Sequence, residues 1–194
     1  MNTSLFSLLI GITLPALLLA ANTNPEGDVD SDVDTEIEDN ATPHDDKLPW
    51  ASDLIRESLQ AACKGQPLVV MFSSSECPYC RIVRSLYMVP LSEDERYPGI
   101  VVRELEINSD IQVRDFSGKV APMRKLAANY GVYLVPTVMV FGPDGKQVGK
   151  SIVGISNEEF YGFYLEDAIA GGISRVKQTL SAVPSASPAA YACG

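Results

Sequence analysis

Histidine is almost absent from this chain. The single one, His44, stands in an acidic stretch, which argues against a Cys/His zinc site in the rest of the sequence. Cysteine is scarce too: Cys63, Cys77, Cys80 and Cys193 are too few for a disulfide-framework protein of 194 residues. They fit one reactive pair and two extras. The Cys-x-x-Cys at 77–80 is followed by Arg81 rather than histidine, which argues against haem attachment. There is no basic surplus. With 15 Lys and Arg against 25 Asp and Glu, the chain offers no basic face, and no nucleic-acid partner is expected. It shows no internal repeat and one long apolar run.

That run, 5–21, has the form of the apolar core of a secretory signal peptide, with Ala20 and Ala21 before polar Asn22 marking the cleavage neighbourhood. The first four residues carry no Lys or Arg, and Leu18 stands where a small residue is usual. A membrane span needs about 20 apolar residues, so the run is marginal for an anchor. Residues 1–21 are therefore expected to be a signal peptide, with an uncleaved anchor as the alternative. Either way the rest is exported, with the periplasm as the expected compartment. In an oxidising compartment a Cys-x-x-Cys pair acts on thiols and disulfides of other proteins.

The net charge of −10 is local. Ten acids and no base fall between 22 and 46, whereas 15 acids balance 15 bases from Lys47 onward. Low hydrophobicity, high charge, Pro25 and Pro43 predict a disordered linker over 22–47. Its alternating carboxylates, Asp28, Asp30, Asp32 and Asp34, lack the glycine and distal glutamate of a calcium loop, so a solvated spacer is expected and no metal site. A globular domain over 48–180 and a flexible Ala/Ser/Pro-rich tail over 181–194 complete the expected organisation.

Apolar periodicity places an amphipathic helix over 50–63, with Leu54, Ile55, Leu59 and Ala62 on its inner face and Gly65 ending it. Leu68 to Phe72 is a buried strand. Ser73-Ser74-Ser75-Glu76-Cys77-Pro78-Tyr79-Cys80-Arg81 follows, and Ile82, Val83, Leu86, Tyr87 and Val89 then recur with helical spacing up to Pro90. The two cysteines thus sit where a strand hands over to a helix. Unpaired N–H groups and the helix dipole stabilise a thiolate there, and the thiolate is the nucleophile of disulfide exchange. Beyond it come a strand over 100–107 and a polar loop over 108–122. A helix carries Met123, Leu126, Ala127 and Tyr130. Thr137 to Phe141 and Gln147 to Val153 form a hairpin about Gly142-Pro143-Asp144-Gly145. A capping box, Ser156 to Glu159, opens a last helix that Gly171-Gly172 interrupts.

This order, with Cys77-Pro78-Tyr79-Cys80 after the first strand and Val135-Pro136-Thr137 before the third, resembles the thioredoxin superfamily over roughly 50–170. It is similar to exported bacterial thioredoxin-related proteins, including those that accompany periplasmic sulfur-oxidation systems. The resemblance implies an α/β thioredoxin fold: a central mixed four-stranded sheet flanked by helices, with a cis proline, Pro136, facing the Cys-x-x-Cys turn. It implies that Val135 pairs with an extended substrate segment, that Tyr79 shapes the rim, and that no cofactor is needed. Two departures stand out. The buried strand acid of thioredoxins falls at Met71 and a nearby lysine at Glu104, which puts the proton-transfer route in doubt.

The expected activity is protein disulfide oxidoreduction, with Cys77 as nucleophile, Cys80 as resolving thiol, and Pro78, Glu76 and Arg81 tuning the site. Its expected partners are thiols and disulfides of exported proteins and a membrane or periplasmic thiol donor. The alternatives are a disulfide donor using the same site, a non-catalytic binding module, and Cu(I) handling in which Met71 and Met123 assist the pair. Cys63 and Cys193 pair with each other, pair with another chain, or stay free. Two free thiols is the expectation adopted.

Overall fold

The structure, a computed structural model, describes residues 47–155 and 157–182. The expected signal segment 1–21, almost all of the expected linker 22–47, the expected tail beyond 182 and Ser156 of the expected capping box lie outside the described residues.

The core is a four-stranded sheet in the order β2-β1-β5-β6, made of β1 (Leu68–Ser73), β2 (Val101–Glu106), β5 (Thr137–Phe141) and β6 (Gln147–Val153). β1 runs parallel to β2 and antiparallel to β5, and β5 pairs antiparallel with β6. All six residues of β1 are buried, as a central strand covered on both faces requires. Successive strand side chains point to opposite faces, so β1 serves two cores. Val69 and Met71 pack with Cys80, Val83, Met88, Leu165 and Ile169. Val70 and Phe72 pack with Leu54, Ala61, Met123 and Leu126. One layer therefore holds α2 (Pro78–Val83), a π-helical turn (Arg84–Met88), α3 (Val89–Ser92) and α5 (Glu158–Ala182). The other holds α1 (Leu54–Ala62) and α4 (Met123–Asn129). Each large apolar side chain buried this way is worth roughly 1.5–3 kcal/mol.

The expected fold class is borne out: the sheet is mixed and four-stranded, helices cover both faces, and the Val135–Pro136 peptide is cis. Four local expectations are corrected. The polar connection 108–122 is not a plain loop; it contains a hairpin of β3 (Gln112–Arg114) and β4 (Val120–Pro122). Val113 anchors this hairpin by burying completely, and Phe116 packs on Phe141 with ring centroids 5.1 Å apart. Pro90 does not stop the helical run. The π turn precedes it and Pro90 enters the first turn of α3, where a missing N–H is tolerated. Gly171-Gly172 does not interrupt α5, which runs unbroken to Ala182. A Cβ at Gly172 would lie 2.7 Å from Pro67 and Val140, so the glycine lets the helix close on the sheet. The buried face of α5 is Tyr161, Leu165, Ile169 and Val176, whereas Phe160, Phe163 and Tyr164 are exposed. Trp50 lies outside α1: it bridges to Glu104 on the edge of β2, and Asp53 caps the helix by accepting the Arg56 N–H at 3.0 Å.

Candidate active site

β1 and β2 end side by side, and β1 delivers the chain into a turn closed by the Cys77 N–H donating to the Ser74 carbonyl at 3.1 Å. Cys77 is the N-cap of α2, with extended backbone angles, and its Sγ accepts the Cys80 N–H at 3.1 Å. A helix leaves its first N–H groups without intrahelical partners, and here the Cys77 sulfur takes one of them. Pro78 occupies the first helical turn, where it has no N–H to waste. Cys77 and Cys80 are joined as a disulfide with their Cα atoms 5.2 Å apart. Their environments differ. Cys80 is completely buried in the core beneath α2, and Cys77 is partly exposed.

The second wall comes from the segment entering β5. The Cys77 Sγ lies 3.8 Å from the Val135 carbonyl oxygen. Val135 is half-buried and Pro136 buried. The segment is pinned on both sides: the Thr137 hydroxyl donates to the Leu134 carbonyl at 2.7 Å, and the Gly154 N–H donates to the Pro136 carbonyl at 2.7 Å. Tyr79, Glu76 and Arg81 are all exposed on the cysteine turn. The side chains of Glu76 and Arg81 make no hydrogen bond or ion pair among the described residues, so neither holds the other against the sulfur.

The resemblance placed Glu104 near the site without a role, and Arg84 and the part played by Ser73 escaped the sequence reading. Glu104, on β2 in register with Met71, is a buried carboxylate at 2 % exposure. Arg84, one helical turn after Cys80, donates to both of its oxygens, through Nε at 2.9 Å and through Nη2. The Ser73 hydroxyl donates to the same carboxylate. This group borders a cleft of about 380 Å³ that also touches Trp50, Ser75 and Glu106. The spacing Cys80 to Arg84 was the available signal, since i and i+4 share a helix face. Met71 and Met123 are both fully buried, but on opposite faces of the sheet, so they do not converge on the cysteine pair. Cys63 is disulfide-bonded, against the expectation of a free thiol, and Cys193 lies outside the described residues.

Residues 57–169, more than half of the sequence, match the family model of the thioredoxin-like domain. The chain belongs to the thioredoxin-like domain family. Solved members of the wider fold resemble this domain at low identity. Mitochondrial thioredoxin 3 of Saccharomyces cerevisiae is 18% identical, with 63% of this chain and 93% of that chain covered and a TM-score of 0.43. The Schistosoma mansoni thioredoxin pre-protein is 25% identical, with 64% and 95% covered and a TM-score of 0.41. A thioredoxin-fold protein from Helicobacter pylori is 17% identical, with 66% and 90% covered and a TM-score of 0.43. The family match, not these likenesses, assigns the chain. No curated protein sequence matches it. A thioredoxin-like domain that carries a closed Cys-x-x-Cys pair at a strand-to-helix junction supports thiol–disulfide oxidoreductase chemistry in general.

Proposed function

We propose that this chain is an exported thiol–disulfide oxidoreductase that reduces disulfides in other proteins. The supporting observation is the asymmetry of the pair: a partly exposed Cys77 sulfur at a helix start, backed by a fully buried Cys80. In the reduced state the Cys77 thiolate attacks one sulfur of a substrate disulfide. The substrate S–S bond breaks, a Cys77–substrate mixed disulfide forms, and the expelled substrate thiolate takes a proton. Cys80, losing its proton, then attacks the Cys77 sulfur. The second substrate thiol leaves, the Cys77–Cys80 bond closes, and two electrons have passed to the substrate. Val135 and cis Pro136 line the side from which an extended substrate segment approaches, and Tyr79 forms the outer rim. A thiol donor at the membrane or in the periplasm restores the dithiol.

The test is the reduction potential of the Cys77–Cys80 pair in the full chain, equilibrated against glutathione, together with insulin reduction. Potentials of related pairs run from about −270 mV for reductants to about −120 mV for strong oxidants. A value near −250 mV with insulin turnover is expected. A value near −130 mV reassigns the protein as a disulfide donor. Absence of exchange leaves a binding module.

A further inference from the structure

The Arg84–Glu104 pair lies outside the exchange step just described, yet it is built against it. Arg84 follows Cys80 by one helical turn, and its guanidinium crosses from the active-site helix to β2 to hold Glu104. Glu104 pairs in register with Met71, and Met71 packs in the same core cluster as Cys80. The carboxylate is almost wholly buried, and the Arg84 side chain is largely so. Ser73, the last residue of β1 before the cysteine turn, donates its hydroxyl to the carboxylate. One positive and one negative charge are therefore fixed beside the resolving cysteine, on the sheet side of the helix.

We propose that Arg84 and Glu104 set the redox poise of the Cys77–Cys80 pair by holding the net charge beneath it near zero. They are positioning residues, and the proposal rests on the oxidoreductase reading. The physical reason is the charge difference between the two redox states. Above the thiol pKa the reduced state carries a thiolate, whereas the disulfide is neutral. A net positive charge beneath the helix favours the reduced state, and a net negative charge favours the disulfide. A unit charge on the order of 10 Å away, at an effective dielectric of about 20, shifts the equilibrium roughly tenfold. Glu104 thus offsets a guanidinium that would otherwise make the pair an oxidant.

The experiment equilibrates the full chain with glutathione at pH 9, where an ordinary thiol of pKa about 8.5 is mostly ionised. The reaction balances as protein disulfide plus two glutathione thiols giving protein dithiol plus one glutathione disulfide. After alkylation, trypsin releases 65–81 as one peptide containing Cys77 and Cys80 but not Cys63, and its mass reports the redox state. Glu104→Gln should shift the equilibrium roughly tenfold towards dithiol, about 30 mV for a two-electron couple. Arg84→Met should shift it roughly tenfold towards disulfide. The double variant should return within threefold of the starting protein. Ser73→Ala keeps both charges and should stay within threefold of the starting protein; a tenfold shift in it overturns the proposal, which keeps a test in hand if a single charge variant fails to fold. Shifts of the same sign in the two charge variants, or no shift in either, overturn the proposal. Failure of the unmodified chain to exchange at all removes the oxidoreductase reading, and the proposal with it.

Discussion

Cys77 and Cys80 carry the same functional group and differ only in what surrounds them. The buried member cannot be reached by a substrate before the exposed one reacts. Replacing Cys80 by serine should therefore trap a covalent Cys77–substrate adduct, visible as added mass in non-reducing conditions. Replacing Cys77 by serine should trap none, and either change should abolish catalytic insulin reduction, because the exchange cycle needs both sulfurs. Equal trapping by both variants would contradict the assignment. The tyrosines make a second prediction. Burial, reinforced by Asp115, pushes Tyr130 up to about 12, and burial beside Tyr87 pushes Tyr161 up further. For both, the folded state keeps a proton that the unfolded chain releases near pH 10. Their contribution to stability is present below that pH and is lost as pH rises above it. A titration at 295 nm should show two late-ionising tyrosines until the chain unfolds, whereas normal ionisation of all of them below pH 11 would refute this. At this scale the sequence displayed both cysteines and Pro136, and the family resemblance put Glu104 near them. It did not show the ion pair that buries Glu104. Its neighbour across the layer, Arg84, lies 20 residues away in sequence, and no local pattern shows such a meeting.

Among the elements, strands and hairpin turns were the most legible. β5 and β6 have the bounds that alternation and the Gly142-Pro143-Asp144-Gly145 turn predicted. Glycine was the least legible. Gly171-Gly172 looks like a break because propensity counts against it, yet packing decides at this site. Gly172→Ala should lower stability by about 1–3 kcal/mol, as overpacking of a closed contact does, with a matching fall in the urea midpoint. Gly171→Ala should be mild, since its Cβ would meet nothing nearer than Val148 at 3.4 Å. Comparable losses in the two variants would show that helix propensity, not contact with Pro67 and Val140, sets the cost. The β3–β4 hairpin was hidden for a similar reason. Its strands have three residues each, too short to display a period, and they hold through Val113 and Phe116 packing on the main core.

Across the whole molecule, three carboxylates predict the acid limb of stability. Asp94 is held below the usual range by the side-chain and backbone hydrogen bonds of Arg96. For Asp115 burial acts upward, but donors from Ser117 and Lys119 outweigh it. For Asp144 burial again acts upward and is outweighed by Arg175 and the Lys146 N–H. Each folded value lies below the unfolded value of about 3.8, so the stabilisation is complete above that pH and disappears as pH falls through the folded values. Urea midpoints should hold steady from pH 7 to 5 and drop below about 4. Asp115→Asn should lower the neutral-pH midpoint and make that drop shallower. A midpoint that falls equally steeply without Asp115 would locate the acid sensitivity elsewhere.

The sequence by itself determined the sheet strands, the strand-to-helix placement of Cys77 and Cys80, and the restriction of excess negative charge to 22–46. These follow from local periodicity, turn chemistry and composition, which neighbouring residues carry together. Only the tertiary structure decided which face of α5 meets the sheet and that Glu104 lies inward against Arg84. It also decided that Met71 and Met123 are on opposite sides of β1 and β2. Those outcomes depend on how layers pack and on which distant residues meet across them, and burial and charge pairing are properties of that meeting rather than of any single segment.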